Sequence, residues 1–324
     1  MKPVLTATIC AFMLACPDAG HAQKYPAQSV RIVVPFAPGG ATDIIARMVA
    51  ARLSTRLGQT FVVENRGGGS GIPGTVAVQQ ARPDGYTLLL SGNGPHATNV
   101  ALYEKLPYDP LKDFTQISLT GLLPLVLNVN PKAPFRTLPE FVQWAKANPG
   151  KMNYGSPGAG SPPHLAMEML AQSHGLDMVH IPYKGSAPAI TDLVAGHIPA
   201  MFDNVLASLS NIQSGTIVAL GVTTSQRVAA LPAVPTFREA GVGDFEASTW
   251  TLLTAPAGTP STIVEQLSAE VRLIFSDPEI QQRLQQQGVV PTVSTPEQTQ
   301  AFVASEIEKW TQVARKARVQ PLDR

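Results

Sequence analysis

Two glycine-rich turns contain the groups best suited to bind a charged solute. The first lies in VVPFAPGGATDIIARMVAARL, residues 33–53, where an apolar run passes through Gly39 and Gly40 into an amphipathic helical pattern. Free N–H groups and the dipole at a helix start attract anions, and glycine lets the backbone approach a ligand closely. Thr42 adds a hydroxyl, and the turn has no basic residue. The pattern predicts a site that binds negative charge through neutral donors.

A second turn of the same construction lies in NYGSPGAGSPPHLAMEML, residues 153–170. A predicted strand at residues 152–155 leads into the loop of residues 156–160. Ser161 can cap the following helix, and Pro162 suits its first position. Either turn alone is explained as a tight strand-to-helix connection, but two turns with capping hydroxyls favour binding. Two such sites facing each other suit a small carboxylate, or a dicarboxylate with one carboxylate at each.

Signatures of catalysis are largely missing from the sequence. It contains no H-E-x-x-H, G-x-S-x-G or Walker-type pattern, and the histidines at 96, 164, 174, 180 and 197 lack metal-ligand spacing. We therefore predict a protein that is not an enzyme and holds no metal or cofactor. An exported hydrolase or isomerase, with Asp43, Asp203 or His164 as acid or base, stays an alternative. Asp43 is equally explained as a first-turn residue that complements the helix dipole.

A third glycine-rich stretch, GGGSGIPG at residues 67–74, resembles a nucleotide-binding turn. Gly69, Gly71 and Gly74 satisfy the spacing G-x-G-x-x-G after an apolar run at residues 61–63. The acidic residue expected about twenty positions further on is absent, since leucines occupy residues 88–90. We therefore interpret this stretch as a structural turn.

Short apolar runs alternate with helical patterns along the chain, which predicts an α/β fold with mainly parallel sheets flanked by helices. The predicted strands are residues 30–35, 61–63, 86–90, 152–155, 180–182, 198–202 and 217–222. Chain crossings between two domains are expected near residues 121–124 and 245–250. A last helix is predicted to start at a Thr295 cap with Pro296 in its first position, and Trp310 is expected in its buried face.

The composition favours an exported protein. The chain has 324 residues, 44% hydrophobic and 15% charged, with a net charge of +1, so nothing indicates binding to nucleic acid. Lys2, the apolar residues 3–15 and Gly20-His21-Ala22 predict a signal peptide, residues 1–22, cleaved after Ala22. Cys10 and Cys16 both lie in that segment, leaving the mature chain without cysteine. Acylation of Cys16, as in a lipoprotein, is the alternative.

The order of several segments resembles the periplasmic solute receptors of tripartite tricarboxylate transporters, often called Bug-type receptors. The segments are YPAQSVRIVVPFAPGGATDIIAR, FVVENRGGGSGIPGT, ARPDGYTLLLS, NYGSPGAGSPPHLAMEML, HIPYKGSAPAITDLVAGHI, MFDN, LGVTTSQRVAALPAVPTFREAG and WTLLTAPAGTP. The resemblance implies a two-lobed, Venus-flytrap fold of the periplasmic-binding-protein type. Lobe 1 would comprise residues 23–122 and 247–324, and lobe 2 residues 123–246.

The resemblance also implies the function: a monomer that closes on a small carboxylated solute, di- or aromatic carboxylate, and delivers it to inner-membrane permease subunits. Delivery of the signal to a sensor kinase is an alternative. Ligand contacts would come from residues 36–43 and 156–161, from two positions after the strand YTLLL, from Tyr183 of PYKG and from Asp203 of MFDN. Together with His164, the candidate ligand-binding residues are Phe36, Gly39, Gly40, Ala41, Thr42, Asp43, Ser91, Asn93, Ser156, Gly158, Ala159, Gly160, Ser161, Tyr183 and Asp203.

Overall fold

The computed structural model describes residues 25–316 and residue 321. The predicted signal peptide, its cleavage site and both cysteines lie outside these residues. The strands are β1 Val30–Val34, β2 Phe61–Asn65, β3 Thr87–Gly92, β4 Phe114–Val129, β5 Met152–Ser156, β6 Met178–Pro182, β7 Ala200–Asn204, β8 Val218–Val222 and β9 Ser248–Pro256. The α-helices are α1 Ala41–Leu57, α2 Ile72–Gln79, α3 Asn99–Leu102, α4 Leu138–Ala147, α5 Pro162–His174, α6 Ser186–Ala195, α7 Val205–Gln213, α8 Ser261–Ser276, α9 Pro278–Gln286 and α10 Pro296–Lys316.

The strands form a mixed sheet in the order β2-β1-β3-β9-β4-β7-β5-β6, with β8 paired to β4. At one end, β1 pairs in parallel with β2 and β3, and at the other end β5 pairs in parallel with β6 and β7. Between these parallel groups, β4 and β9 run antiparallel to their neighbours. The sequence thus predicted the parallel strands but not the two antiparallel strands that join them.

Strand β4 passes from one half of the sheet to the other. Its residues from Phe114 to Pro124 pair with β9, and from Leu125 onward it pairs with β7. Irregular register near Gln116 and Leu119 bends the strand before this change of partner. The change lies next to the predicted crossing at residues 121–124, while the exact domain limits stay a prediction.

Each half of the sheet has its own hydrophobic core, and we call the halves lobe 1 and lobe 2. The lobe 1 core packs α1 and α8 against the sheet through residues such as Ile32, Ile45 and Leu267. The lobe 2 core lies entirely within residues 125–247 and includes Phe141 and Tyr154. Helical cover on both faces explains the nearly continuous apolar strands β1 and β3. The edge strands are less covered, with Val62 51% and Val179 47% exposed.

The predicted start of the last helix is confirmed, and two other helices end at a glycine. Helix α1 ends before Gly58, which adopts the left-handed conformation at φ +70°, and α5 ends before Gly175 in the same way. At the start of α10, the Thr295 hydroxyl accepts from the Gln298 N–H while the Gln298 side chain accepts from the Thr295 N–H. Trp310 is 1% exposed, as expected for a core residue.

Two strand ends differ from the prediction. Strand β3 continues to Gly92, so Ser91 lies within the strand and not in the loop after it. Strand β7 continues to Asn204 and therefore includes Asp203. Gly92 itself must be glycine, because a Cβ there would lie 2.1 Å from the Trp250 carbonyl oxygen. The third glycine-rich stretch forms a short 3-10 turn, Gly69–Gly71, that leads into α2.

Candidate functional site

A cavity, here called cavity 1, lies between the lobes where the carboxyl ends of the parallel strands meet the following helices. It has about 620 Å³ of space between protein atoms, part of it open to solvent. Its lining residues are Phe36, Ala37, Gly40, Ala41, Thr42, Gly92, Asn93, Gly94, Leu123, Pro157, Ser161, Pro162, Pro163, Gly185, Ser186, Asn204, Thr249, Trp250 and Thr251.

In lobe 1, the start of α1 faces cavity 1. Gly40 occupies the N-cap position, and Ala41 and Thr42 form the first helical residues. N–H groups at the start of a helix have no carbonyl acceptor within the helix. The N–H groups of these residues are therefore free for an anion. Gly39 has φ +84°, a conformation that favours glycine and that turns the loop into the helix. Phe36, Gly40, Ala41 and Thr42 therefore form one wall of the cavity, whereas Gly39 does not line it.

Asp43 does not line this cavity, but its hydrogen bonds hold the turn in position. Its carboxylate accepts from the Gly39 N–H at 3.0 Å, from Arg47 Nε at 2.9 Å and from Asn65 Nδ2 at 2.9 Å. Burial raises its pKa, but the bonds from Arg47, Gly39 and Asn65 outweigh burial and hold the pKa below its usual value. The arrangement gives Asp43 a positioning role and leaves it occupied by donors of the protein.

Asn93 directly follows strand β3 and lines cavity 1 with a polar side chain. Its Oδ1 accepts from the Trp250 backbone N–H at 2.7 Å, and its Nδ2 has no hydrogen-bond partner although the residue is only 2% exposed. A buried amide donor without a partner is costly unless a ligand or water accepts from it. Ser91, in contrast, is fully buried and bonds to His96 Nδ1 at 2.8 Å.

The second turn lines the cleft but has few free donors. The N–H groups of Gly158, Gly160 and Ser161 donate to Ser156 Oγ (3.2 Å), His164 Nδ1 (3.0 Å) and Gly158 O (3.1 Å). The Ser161 hydroxyl donates to the Gly158 carbonyl at 2.7 Å and does not cap α5 as expected. The next two residues of the helix are prolines and have no N–H. Of the predicted donors in this turn, the Ala159 N–H is the one without such a bond in the described residues.

Two histidines, His164 and His180, hold the second turn in position through hydrogen bonds. The rings of His164 and His180 stack with centroids 3.8 Å apart, and Ser156 Oγ lies 2.7 Å from His180 Nε2. Burial lowers the pKa of His164 to about 3, with a further contribution from His180, and burial lowers the pKa of His180 to about 4. Neutral His164 can therefore accept the Gly160 N–H. Ser156 and His164 line neither cavity described here.

Lobe 2 presents two further helix starts to cavity 1, at α6 and α7. Gly185 precedes α6 with φ +127°, Ser186 is its first residue, and Asn204 is the N-cap of α7. All three residues line the cavity. From these two segments the sequence-based prediction chose Tyr183 and Asp203 instead, although IPYKGSAPAI repeats the signal of strand, glycine and hydroxyl residue before a helix.

Asp203 hydrogen-bonds to a residue at each of these two helix starts. Its Oδ1 accepts from Ser186 Oγ at 2.9 Å and from the Asn204 N–H at 2.7 Å, while Oδ2 has no partner among the described residues. The residue is 0% exposed, and burial raises its pKa to about 7, against the smaller opposing effects of the two hydrogen bonds. Asp203 therefore positions residues of the cavity and is not itself part of the lining.

A second cavity, cavity 2, adjoins the first and lies between the GGGSGIPG loop and the second turn. It is lined by Phe36, Gly68, Gly69, Ser70, Gly71, Gly94, Asn99, Pro157, Gly158, Ala159, Gly160, Ser161, Pro162, Tyr183, Lys184 and Gly185. Ser70 Oγ reaches across the cleft to the Ala159 carbonyl at 3.4 Å. The loop that we interpreted as a structural turn thus also lines the cleft. Tyr183 uses its hydroxyl to bind Asp192 at 2.7 Å.

Charge is distributed unequally between the cavities. Of the residues that the structure describes, no charged one lines cavity 1, whereas Lys184 lines cavity 2. Among the residues that the structure describes, no cluster of three or more His, Cys, Asp or Glu residues could hold a metal ion. In the same part of the chain, every helix is too short or too polar to cross a membrane.

These features define a two-lobed solute receptor. Residues 45–319 match the family model described as tripartite tricarboxylate transporter family receptor, and the chain belongs to that family. It is 39% identical over 295 residues to the protein BugT of Bordetella pertussis, and the match covers 91% of this chain and 90% of BugT.

Two solved structures are similar over nearly their whole length. R. palustris Rpa4515 with adipate has a TM-score of 0.90 and 37% identity, covering 92% of this chain and 100% of that chain. MatC (Rpa3494) from Rhodopseudomonas palustris with bound malate has a TM-score of 0.84 and 33% identity, covering 89% of this chain and 99% of that chain. The predicted family and the predicted two-lobed fold are confirmed.

Proposed function

We propose that this protein is a periplasmic receptor that captures a small carboxylated solute in cavity 1. The observation that carries the proposal is the convergence of the starts of α1, α6 and α7 on a cavity without a charged side chain. A carboxylate there would accept from neutral N–H and hydroxyl groups and from the side-chain amide of Asn93. The adipate and malate bound by the two similar proteins support a carboxylated ligand.

Ligand binding would favour closure of the lobes. Residues of both lobes line cavity 1, and strands β4 and β9 join the two lobes. A bound solute therefore contacts more of the protein when the cleft is closed. A ligand stabilises the conformation for which it has the higher affinity. In this proposal the lobes are residues 23–122 with 247–324, and residues 123–246. The closed monomer would then deliver its solute to inner-membrane permease subunits of a tripartite tricarboxylate transporter.

The alternative of an exported hydrolase or isomerase receives little support from the acid and base candidates. Asp43, Asp203 and His164 all hydrogen-bond to neighbouring protein groups, and none of them lines cavity 1. A group that transfers a proton must come within hydrogen-bond reach of the substrate. Sensor-kinase docking instead of permease docking would use the same closed receptor, and no described feature favours it.

Thermal-shift screening against mono-, di- and tricarboxylates tests the proposal. A ligand at about 100 times its Kd stabilises the native state by roughly 2.7 kcal/mol, which raises the unfolding temperature. Thr42→Ala should then lower affinity in calorimetry, because Thr42 lines cavity 1, while Thr42→Ser should retain most of it. Absence of stabilisation by every carboxylate, or turnover of a bound one, would contradict the proposal. Mass spectrometry of the exported protein would test cleavage after Ala22 and lipidation of Cys16.

A further inference from the structure

We infer that the packing of Gly288 on Val205 sets the ligand affinity of the receptor from the side of the molecule opposite to cavity 1. The inference rests on the proposed closure of the lobes around a solute and adds a contact that controls it. Neither residue lines cavity 1, so both would act as positioning residues.

A groove, here called the rear groove, lies between the lobes on the other face of the strands that join them. Residues 224–229 line it from lobe 2, and Gln285 and residues 288–290 line it from lobe 1. Leu123 lines cavity 1, whereas the next residue of β4, Pro124, lines the rear groove. Because consecutive side chains of a strand point to opposite faces, the cavity and the groove lie on opposite sides of the joining strands.

In the rear groove, Gly288 of lobe 1 lies directly against helix α7 of lobe 2. A Cβ at Gly288 would lie 2.9 Å from the Val205 Cβ and closer still to the Val205 Cγ1. The same Cβ would lie 3.6 Å from Val228 Cγ1. The backbone of Gly288 therefore packs on lobe 2 with no room for a side chain.

Each of the two residues is attached to its own lobe. Next to Gly288, the backbones of Leu122 and Val290 exchange two hydrogen bonds, at 3.0 and 2.9 Å, and Val289 is buried in the lobe 1 core. Val205 is 0% exposed and packs in a cluster of lobe 2 residues that includes Leu209. A rotation of one lobe relative to the other must therefore change the separation of Gly288 and Val205.

The position of this contact decides the sign of its effect on binding. A rotation that narrows cavity 1 separates Gly288 from Val205, because the two lie on the opposite side of the joining strands. A rotation that widens cavity 1 presses them together. Protein interiors resist added volume, so a larger side chain at this contact disfavours the open conformation more than the closed one.

The shift toward the closed conformation should raise affinity. The apparent Kd equals the intrinsic Kd divided by the fraction of protein in the binding-competent conformation. A contact that only supported the fold would have a different effect. Asn204, the residue before Val205, lines cavity 1, and its displacement by added volume would weaken binding.

Calorimetry with adipate and malate, and small-angle X-ray scattering of the ligand-free proteins, test this inference. Four proteins are compared: wild type, Gly288→Ala, Val205→Ile and Gly58→Ala. The first two variants add a methyl group at the contact from opposite lobes. Gly58→Ala is the matched control, because Gly58 also follows a lobe 1 helix at φ +70°, close to the φ of +78° at Gly288, and has no atom within 4 Å of an added Cβ.

We expect Gly288→Ala to tighten binding about three- to tenfold and Val205→Ile about two- to threefold. Both ligand-free variants should have a smaller radius of gyration than ligand-free wild type. Gly58→Ala carries similar backbone strain without the contact, and it should match wild type in radius and, within about twofold, in affinity.

The outcomes separate this inference from the proposed receptor. Unchanged or weaker binding by Gly288→Ala and Val205→Ile overturns the inference and leaves the carboxylate receptor standing, and so does an equal gain in Gly58→Ala. If Gly288→Ala does not fold, Val205→Ile decides alone. If neither acid binds wild type, the scattering decides: a smaller radius in the crowded variants supports the inference, and equal radii overturn it. The wider carboxylate screen then judges the receptor proposal separately.

Discussion

The backbone N–H of Trp250 donates to Oδ1 of Asn93 at 2.7 Å and thereby fixes which end of the Asn93 amide faces the cleft. Because Oδ1 is occupied by a donor, the amide cannot turn over without losing this bond, and Nδ2 is left as a donor without a protein partner. Trp250 lies on β9 and Asn93 directly follows β3, so the antiparallel pairing of these strands orients the side chain.

Asn93→Asp should abolish tight binding of a carboxylate. The aspartate can still accept from the Trp250 N–H, but it replaces the free donor with a negative charge. Loss of a hydrogen bond to a charged group costs about 1.5–3 kcal/mol, so affinity should fall by at least about tenfold before any repulsion is added. Calorimetry with the ligand found by thermal-shift screening provides the measurement.

Asn153→Asp is the matched control, because Asn153 lies on β5 and lines neither cavity. It introduces the same charge change and should leave affinity within about twofold of wild type, as expected for a substitution away from the site. Equal affinities of Asn93→Asp and wild type would show that this amide does not contact the ligand.

The parallel strands and helix ends were predictable because their signals are local. Glycine at 58 and at 175 ends a helix through its own backbone conformation, and the cap at Thr295 needs only residues three positions apart. Strands β4 and β9 depend on partners far along the chain, as in the 2.8 Å bond between Thr120 and Thr251. Gly121 and Pro124 within β4 also look like turn residues in the sequence.

For the candidate site, the sequence indicated where helices start but not which donors are free. The second turn has the expected glycines, yet its Gly160 N–H is used by His164 from the following helix. Asp43 is likewise engaged by Asn65, a residue of another strand. The Asn65 contact joins distant parts of the chain, and the His164 contact, although only four residues away, depends on the ring orientation that stacking on His180 favours.

Asp203→Asn should stabilise the protein increasingly as pH rises. The pKa of Asp203 is raised to about 7 by burial, whereas the unfolded chain has a value near 3.9. Between these values the native state holds a proton that the unfolded state has released, so the unfolding free energy of wild type falls as pH increases. Asparagine is neutral throughout. The difference between variant and wild type should therefore grow by up to about 4 kcal/mol from pH 4 to pH 8.

Urea unfolding of both proteins at pH 4.5, 6 and 8 measures this difference. Other titrating groups, including His164 and His180, contribute equally to both proteins and cancel in the subtraction. Asparagine Oδ1 can still accept from Ser186 and from the Asn204 N–H, which keeps the two hydrogen bonds of the native carboxylate. A difference that stays constant over this pH range would show that Asp203 is ionised in the native protein even at pH 4.5.

Glu306→Leu should destabilise the protein and weaken ligand binding together. Glu306 is 7% exposed, and its Oε2 accepts from the indole N–H groups of Trp250 at 2.7 Å and Trp310 at 2.9 Å. Leucine leaves both donors buried without a partner, at a cost of about 1–3 kcal/mol each. Glu306→Gln retains an acceptor and should lose less, about 1–2 kcal/mol.

The effect on binding follows from the position of Trp250, whose backbone N–H orients Asn93 and whose indole is anchored by α10. Displacement of the tryptophan would loosen the amide that we expect to contact the carboxylate. Urea unfolding and calorimetry on Glu306→Leu, Glu306→Gln and the exposed control Glu308→Leu measure both effects. Glu308→Leu should change stability by less than about 0.5 kcal/mol. If Glu306→Leu lowers stability but leaves affinity unchanged, the anchoring of Trp250 serves the fold alone, and the link from α10 to the binding site is wrong.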